Sequence, residues 1–207
     1  VRYALKPTDV PGLVPRGIVN TDQDINAGAA LFFDKYNPEI LFTSPVSGKV
    51  VAVNRGERRK ILEVIVEADG KGDSVVFTKA DPQSLSSDQI KELLLKSGMW
   101  PFIKQRPYGS FAKPADPPGN IFISCFDSAP LAPDYEFILK NEANSFQTGI
   151  NALAKLTSGK IFLGLPAGSS SGIFAKTNNV EPIQFEGPHP AGNVGIQIHH
   201  IAPLNKG

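Results

Sequence analysis

From Ile18 to Val66 the apolar positions come in short runs separated by turn residues: Ile18-Val19, Ile25, Leu31-Phe32-Phe33, Ile40-Leu41-Phe42, Val50-Val51-Ala52-Val53 and Ile61-Leu62-Glu63-Val64-Ile65-Val66. Strand follows strand with no room for a helix, which predicts a small sandwich or barrel. Ahead of it, Val1 to Arg16 carries Pro7, Pro11 and Pro15 and reads as an extended lead-in that hugs the sheet. The polar, glycine-rich stretch Ala68 to Ser74 ends the β pattern and places a boundary between residues 73 and 74. Beyond it the period lengthens. Ser86-Ser87-Asp88-Gln89 is a capping box, Ile90, Leu93 and Leu94 give a helix to Lys96 its apolar face, and Gly98 is its natural stop. A buried strand over Asn120 to Phe126, helices over Pro133 to Leu139 and Glu142 to Leu156, and a second buried strand over Lys160 to Leu165 predict a parallel pair with a right-handed crossover.

One segment fits neither pattern. Ser97 to Phe111 holds the only Trp and the only Met of the chain, together with Phe102, Tyr108, Phe111, Lys104 and Arg106. Pro101 and Pro107 keep it out of a central strand or a long helix, so its rings must pack as irregular backbone against something flat or apolar. It reads either as a loop tucked under a sheet or as the wall of a pocket for a planar ligand. Elsewhere, ligands of parallel sheets sit beyond the carboxyl ends of the strands, here Cys125 to Pro130 and the serine-rich Pro166 to Gly172. The serine-rich loop could offer backbone amides to a phosphate, but it lacks a P-loop lysine and a GxGxxG pattern and reads more simply as a linker.

The three histidines, His189, His199 and His200, lie near the end of the chain. Read on a strand, His199 and His200 would face opposite ways and could not share one ion, and no cysteine or helical HxxxH spacing completes a zinc site. Gly187 to Asn193 reads as a rigid double turn. Ser124, Cys125 and Asp127 cluster, yet no histidine in that stretch completes a triad.

Composition narrows the function classes. The chain has 207 residues, a formal net charge of +1, 41% hydrophobic and 20% charged residues, enough for a sizeable core and no pull towards a polyanion. The basic turn Arg55 to Lys60 lacks the aromatic interleaving of a nucleic-acid surface. A single cysteine, Cys125, suits a reducing compartment, and no apolar run reaches the ~18 residues of a membrane span. The start at Val1 and the stop after an apolar run suggest an excerpt of a longer protein.

Two patterns resemble the barrel-sandwich hybrid of biotinyl and lipoyl domains: Val19-x-x-Asp22-Gln23-x-Ile25-x-Ala27-Gly28-x-x-Leu31 and Ser44-Pro45-Val46-Ser47-Gly48-Lys49-Val50-Val51. Lys35 would then stand where those domains are acylated, but Asn37 to Thr43 lengthens the interval to Ser44-Pro45, so the fold is expected without the prosthetic group. A wider resemblance covers essentially the whole chain. Phe32-Phe33-Asp34-Lys35 with Pro38, Ser44 to Val50, Asn54-Arg55-Gly56-x-x-Arg59, Ser97-Gly98-Met99-Trp100, Arg106-Pro107 and Gly187-Pro188-His189-Pro190-Ala191-Gly192 resemble, in order and spacing, the A-subunit family of the bacterial sodium-translocating NADH:quinone oxidoreductases (Na+-NQR). More distant likeness runs to the corresponding component of the Rnf complex and to the flavin subunit of complex I.

The resemblance implies an α+β chain: a barrel-sandwich hybrid over 1–73, followed by an α/β Rossmann-like domain over 74–207, related to the flavin subunit but without flavin. It implies a peripheral subunit on the cytoplasmic face of the bacterial inner membrane, joined to the membrane through partner subunits, in a machine that couples electron flow from NADH to ubiquinone with sodium export. FMN, FAD and iron–sulfur centres are expected on those partners and none on this chain. The flavin-binding relatives carry a glycine-rich loop where this chain has Gly98 to Pro107, whose bulky side chains would keep the backbone from an isoalloxazine or a phosphate. In this family context Trp100, Phe102, Tyr108 and Phe111 become candidates to sandwich a quinone ring, with Lys104 and Arg106 as donors to its oxygens, and Val10 and Leu13 as a second quinone-associated stretch. The alternatives are an assembly role in the same complex, in which the rings would pack on neighbouring chains, or an Rnf-type electron-transfer subunit. An assembly surface predicts exposed rings, a ligand site a concave arrangement.

Overall fold

The structure is a computed structural model and describes residues 1–170 and 172–204. The chain forms two compact units: Val1–Lys79 with Lys91–Pro114, and Ala80–Ile90 with the chain from Ala115 onwards. Each unit is therefore built from two separate stretches of the chain. The segment 91–114, which carries Trp100, packs with the β strands.

In the first unit, β1 (Arg2–Leu5), β2 (Pro15–Gly17), β3 (Asp24–Ile25), β4 (Ala30–Asp34), β5 (Leu41–Thr43), β6 (Gly48–Arg55) and β7 (Ile61–Ala68) build two antiparallel sheets. Their strand orders are β1-β7-β6-β3 and β2-β4-β5. Val50, Ile61, Val64 and Val66 from one sheet, and Leu31, Phe32 and Phe42 from the other, are buried. The strict two-residue alternation fails where it should: the β6–β7 register shifts between Val50 and Ala52 and again between Asn54 and Arg55, as bulges require. The turn after β4 is built on Asp34, 1% exposed, whose carboxylate accepts hydrogen bonds from the Val14 and Asn37 amides and from Asn37 Nδ2 at 2.7 Å. Lys35 beside it lays its ammonium over the Tyr36 ring. The Ser44-to-Gly48 motif is tied to the turn after β7: Ser47 Oγ donates to Asp69 and accepts from the Gly72 amide. The Lys71 amide on Asp69, and then the Ser47 hydroxyl, hold the Asp69 carboxyl below its ordinary range.

Helix α1 (Ser87–Lys96) forms where its capping signals place it. The Ser86 amide donates to Gln89 Oε1 and the Gln89 amide to Ser86 Oγ, the two reciprocal bonds of the box. The hairpin β8 (Lys104–Gln105) and β9 (Ser110–Phe111) follows a single 3-10 turn, Trp100–Phe102.

The second unit holds β10 (Ile121–Ser124), α2 (Tyr135–Leu139), α3 (Ala143–Ala154), β11 (Ile161–Pro166), β12 (Glu181–Phe185) and α4 (Val194–Ile201). β10 and β11 pair in parallel, as expected, with α2 and α3 between them in the chain. The apolar face of α3 supplies Ile150, packed with Cys125, Ile161, Leu163, Leu165 and Phe174, while Phe146 meets the Phe174 ring edge-on at 5.1 Å.

Two elements depart from the sequence reading. β12, the third parallel strand, lies at one edge of the sheet, where Pro182 is tolerated. The run Val194-Gly195-Ile196-Gln197-Ile198-His199-His200-Ile201 is a helix and not a strand. Asn193 caps it, its Oδ1 accepting from the Gly195 amide at 2.8 Å, and this outweighs the strand preference of three isoleucines. His199 and His200 thus sit in the last helical turn, where a helix favours positive charge, with their rings 5.6 Å apart.

Burial, with a smaller contribution from the Glu136 charge, pushes the Cys125 thiol up to about 12. Above the ordinary thiol pKa of ~8.5 the unfolded chain sheds this proton while the native chain keeps it. Stability from this group is therefore lost as pH rises towards 12. Urea unfolding should show wild type losing stability relative to Cys125→Ala as pH rises from ~8.5, by at most ~1.4 kcal/mol per pH unit. Native protein should leave a thiol reagent unconsumed at about pH 8, below the ordinary thiol pKa, and a fast-reacting thiol there would contradict the assignment.

Candidate functional site

The approach to the aromatic segment is fixed by Gly98. It has φ +73, the Met99 amide donates to the Leu94 carbonyl at 3.0 Å, and the Gly98 amide donates to that of Leu95 at 3.3 Å. This is a Schellman closure of α1, which needs a residue comfortable at positive φ. A Cβ at Gly98 would also lie 2.6 Å from Thr43 Oγ1 on β5, so the turn sits directly on the barrel.

Past that closure the candidate residues separate into two groups. Trp100 is 3% exposed and its indole Nε1 donates to the Ala112 carbonyl at 2.7 Å, tying the start of the segment to its end. Phe111 is buried and meets the Phe42 ring edge-on, and Phe42 in turn stacks on Phe32 at 5.0 Å. These two rings belong to the core of the β unit. Phe102 and Tyr108, by contrast, are 75% and 80% exposed. Lys104 pairs across the hairpin with Phe111 and holds its ammonium 5.9 Å from that ring; partial burial lowers its pKa. Arg106 is half-buried, with its guanidinium over Gly109 in the turn. The structure thus brings Trp100, Lys104 and Phe111 together and leaves Phe102 and Tyr108 facing solvent, so the four rings do not close as one sandwich. In the lead-in before β2, Leu13 is buried and its amide donates to the carbonyl of half-buried Val10.

The carboxyl edge of the parallel sheet is occupied by its own side chains. Ser124 Oγ lies 2.7 Å from the Gly192 carbonyl and accepts from Gln197 Nε2 at 2.9 Å. Gln197, 2% exposed, lies against Gly164 of β11, where any Cβ would collide with its amide. Ser128 Oγ accepts from the Gly192 amide at 2.8 Å and stands 3.2 Å from His189 Nδ1. The sequence reading missed this pair because 61 residues separate its members. It is no triad: Asp127 Oδ1 accepts the Ala129 amide, and among the described residues no carboxylate pairs with the His189 imidazole. Three amides at the start of the serine-rich loop are likewise engaged, Ala167 with Phe185, Gly168 with Gln184 and Ser169 with Pro166. Ser171 lies outside the described residues. Among the described residues no group of three or more His, Cys, Asp and Glu could hold a metal, and no helix is long and apolar enough to cross a membrane.

A two-sheet barrel followed by a parallel α/β layer defines the class: a barrel-sandwich hybrid joined to an α/β domain. Residues 1–69 match the NqrA N-terminal barrel-sandwich hybrid domain, and residues 85–207 match the NqrA second alpha/beta domain. The chain belongs to the NqrA family. It is 38% identical over 207 residues to the A-subunit of the Na(+)-translocating NADH-quinone reductase of Yersinia pestis, covering 98% of this chain and 46% of that protein. For the corresponding proteins of Photorhabdus laumondii and Neisseria gonorrhoeae the identities are 36% and 34%, over 98% and 97% of this chain and 45% of each relative. The chain spans about half the length of the curated relatives it matches.

The division of the rings gives a clear expectation. Gly98→Ala should cost about 1–3 kcal/mol from the forced left-handed backbone and the Thr43 contact. Trp100→Phe, which strands the Ala112 carbonyl, should cost about 1–3 kcal/mol. Phe102→Ala and Tyr108→Ala should stay within ~0.5 kcal/mol of wild type. Urea unfolding checks all four, and a Tyr108→Ala loss as large as that of Trp100→Phe would contradict this placement.

Proposed function

We propose that this chain is the part of a Na+-translocating NADH:quinone reductase that presents one face of a ubiquinone contact, completed by a neighbouring subunit. The observation that carries this reading is the hairpin itself. Phe102 and Tyr108 stand in solvent beside Lys104 and Arg106, on a backbone anchored by Trp100 and Phe111. A quinone head group is flat and gains negative charge on its two oxygens as it is reduced. Exposed rings can cover one of its faces, and the cations can donate hydrogen bonds to the reduced form. A partner surface would supply the other face and exclude water. In this reading the chain is peripheral, on the cytoplasmic side of the bacterial membrane. It holds no flavin or iron–sulfur centre of its own, and it serves a complex whose electron flow drives sodium export.

The second reading is purely an assembly role. It draws on the same exposure, because rings left in solvent suit a docking face as well as a ligand.

Steady-state kinetics of the assembled enzyme separates the two. Tyr108→Ala and Arg106→Ala should raise KM for a short-chain ubiquinone about tenfold, with subunit content and NADH oxidation by an artificial acceptor unchanged. Variants that lose this chain from the purified complex, while remaining enzyme keeps its quinone KM, would favour assembly.

A further inference from the structure

The strands β6 and β7 are joined by a turn whose residues run against its geometry. The Gly56 amide donates to the Lys60 carbonyl at 2.8 Å, and the Lys60 amide donates to the Glu57 carbonyl at 3.1 Å. Between Glu57 and Lys60 the two central residues, Arg58 and Arg59, both hold left-handed backbone, at φ 53 and φ 60. This is a primed two-residue turn, whose twist suits a hairpin and whose positions are ordinarily filled by Asn and Gly. Arginine has no ease there, because its Cβ crowds the following carbonyl. Packing does not account for the pair either. Both arginines are exposed, and among the described residues neither side chain has a hydrogen-bond, carboxylate or ring partner.

The same turn concentrates charge. Arg55, Arg58, Arg59 and Lys60 stand against the single carboxylate of Glu57, in a chain whose whole net charge is +1. All four cations are exposed, and among the described residues none comes within 4.0 Å of a carboxylate. Glu63 on β7 is engaged elsewhere, accepting from Asn54 Nδ2 at 2.7 Å. Only Arg55 is held, its Nη1 donating to the Arg59 carbonyl across the turn at 3.2 Å.

Apolar side chains stand beside these cations. Leu62 lies against Gly56, where a Cβ would be 3.2 Å from its Cδ1, yet it is 40% exposed. A Cβ at Gly17 on β2 would be 3.6 Å from Arg55 Nη2, and the next residue, Ile18, is 47% exposed.

We propose that the turn between β6 and β7 is a docking surface for an anionic lipid bilayer. Guanidinium groups pair well with phosphate oxygens, and a cluster of four cations draws a protein to a negatively charged leaflet. The arginines extend without partners from a fixed turn, which suits a fluid layer of phosphodiesters whose anions move to meet them. An acidic protein face, by contrast, is matched by cations held in set directions. Leu62 and Ile18 enter the apolar boundary below the headgroups while the cations stay at the phosphates. The unfavourable backbone at Arg58 and Arg59 is then the cost of holding charge at the tip. This surface uses no residue of the aromatic hairpin.

The test is flotation of the full chain with vesicles of phosphatidylcholine alone and of phosphatidylcholine with about one-third phosphatidylglycerol. The chain should float with the anionic vesicles and not with the neutral ones, and binding should fall at least about tenfold between about 0.05 and 0.5 M salt. Arg58→Asn combined with Arg59→Gly removes two cations while giving the turn the residues its backbone prefers. That variant should unfold at higher urea than wild type and yet bind anionic vesicles at least about tenfold more weakly. Lys140→Gln combined with Lys176→Gln, which removes two exposed cations of the second unit, should bind within about twofold of wild type. Equal binding to both vesicles, anionic binding unchanged in Arg58→Asn with Arg59→Gly, or an equal loss in the lysine variant would overturn the proposal. So would no binding by the folded chain, in favour of an acidic protein face. The vesicles carry no quinone, so such a failure leaves the quinone reading standing.

Discussion

Burial of the Trp100 indole is the constraint on which the aromatic segment depends. An indole removed from water must find an acceptor for its N–H, and the Ala112 carbonyl, twelve residues further on, is the acceptor it finds. That one bond closes the segment into a loop whose two ends meet, so the hairpin inside it has a fixed place to start and finish. The arrangement holds only because Gly98 lets α1 end abruptly against Thr43 and because Phe111 seats on Phe42. Three local solutions thus serve a single buried ring. Phe102 and Tyr108 are what remains once the core has been satisfied, and this is why they are the residues free to meet something else.

The sheet of the second unit shows the reverse arrangement. The carboxyl edge of a parallel sheet is where ligands are commonly held. Here Gln197 lies across Gly164, Ser124 and Ser128 fasten the loop after β12, and the first three amides of the loop after β11 are engaged by Phe185, Gln184 and Pro166. An edge tied down in this way has few polar groups left to offer. The α/β layer keeps the framework of a ligand-binding fold while its usual mouth is filled from within, in keeping with the separation of fold from function.

What the sequence revealed follows the range over which each signal acts. α1 could be read to the residue because both of its ends are written locally, in Ser86 with Gln89 and in Gly98. The β runs of the first unit were legible for the same reason, each bounded by its own turn residues. β12 was hidden by Pro182, which is acceptable only at an edge, and a chain does not declare its edges. α4 was hidden by isoleucines that suit a strand equally well, until Asn193 is seen to cap them. Nothing local could pair Ser128 with His189, or show that Trp100 and Phe111 turn inward while Phe102 and Tyr108 turn out. Those outcomes depend on which apolar surface, such as Phe42, lies opposite after folding.

The discontinuity of the two units bears on how such a protein can be cut. A polypeptide stopped at the end of the β run would contain every strand of the two barrel sheets, yet it would lack Trp100, Phe111 and the turn seated on Thr43. The Phe42 ring would lose its cover. The barrel is therefore not a transplantable module in the way a biotinyl or lipoyl domain is. Any gene fusion or truncation meant to isolate it has to carry the chain through Pro114, and with it the start of α1 that belongs to the other unit.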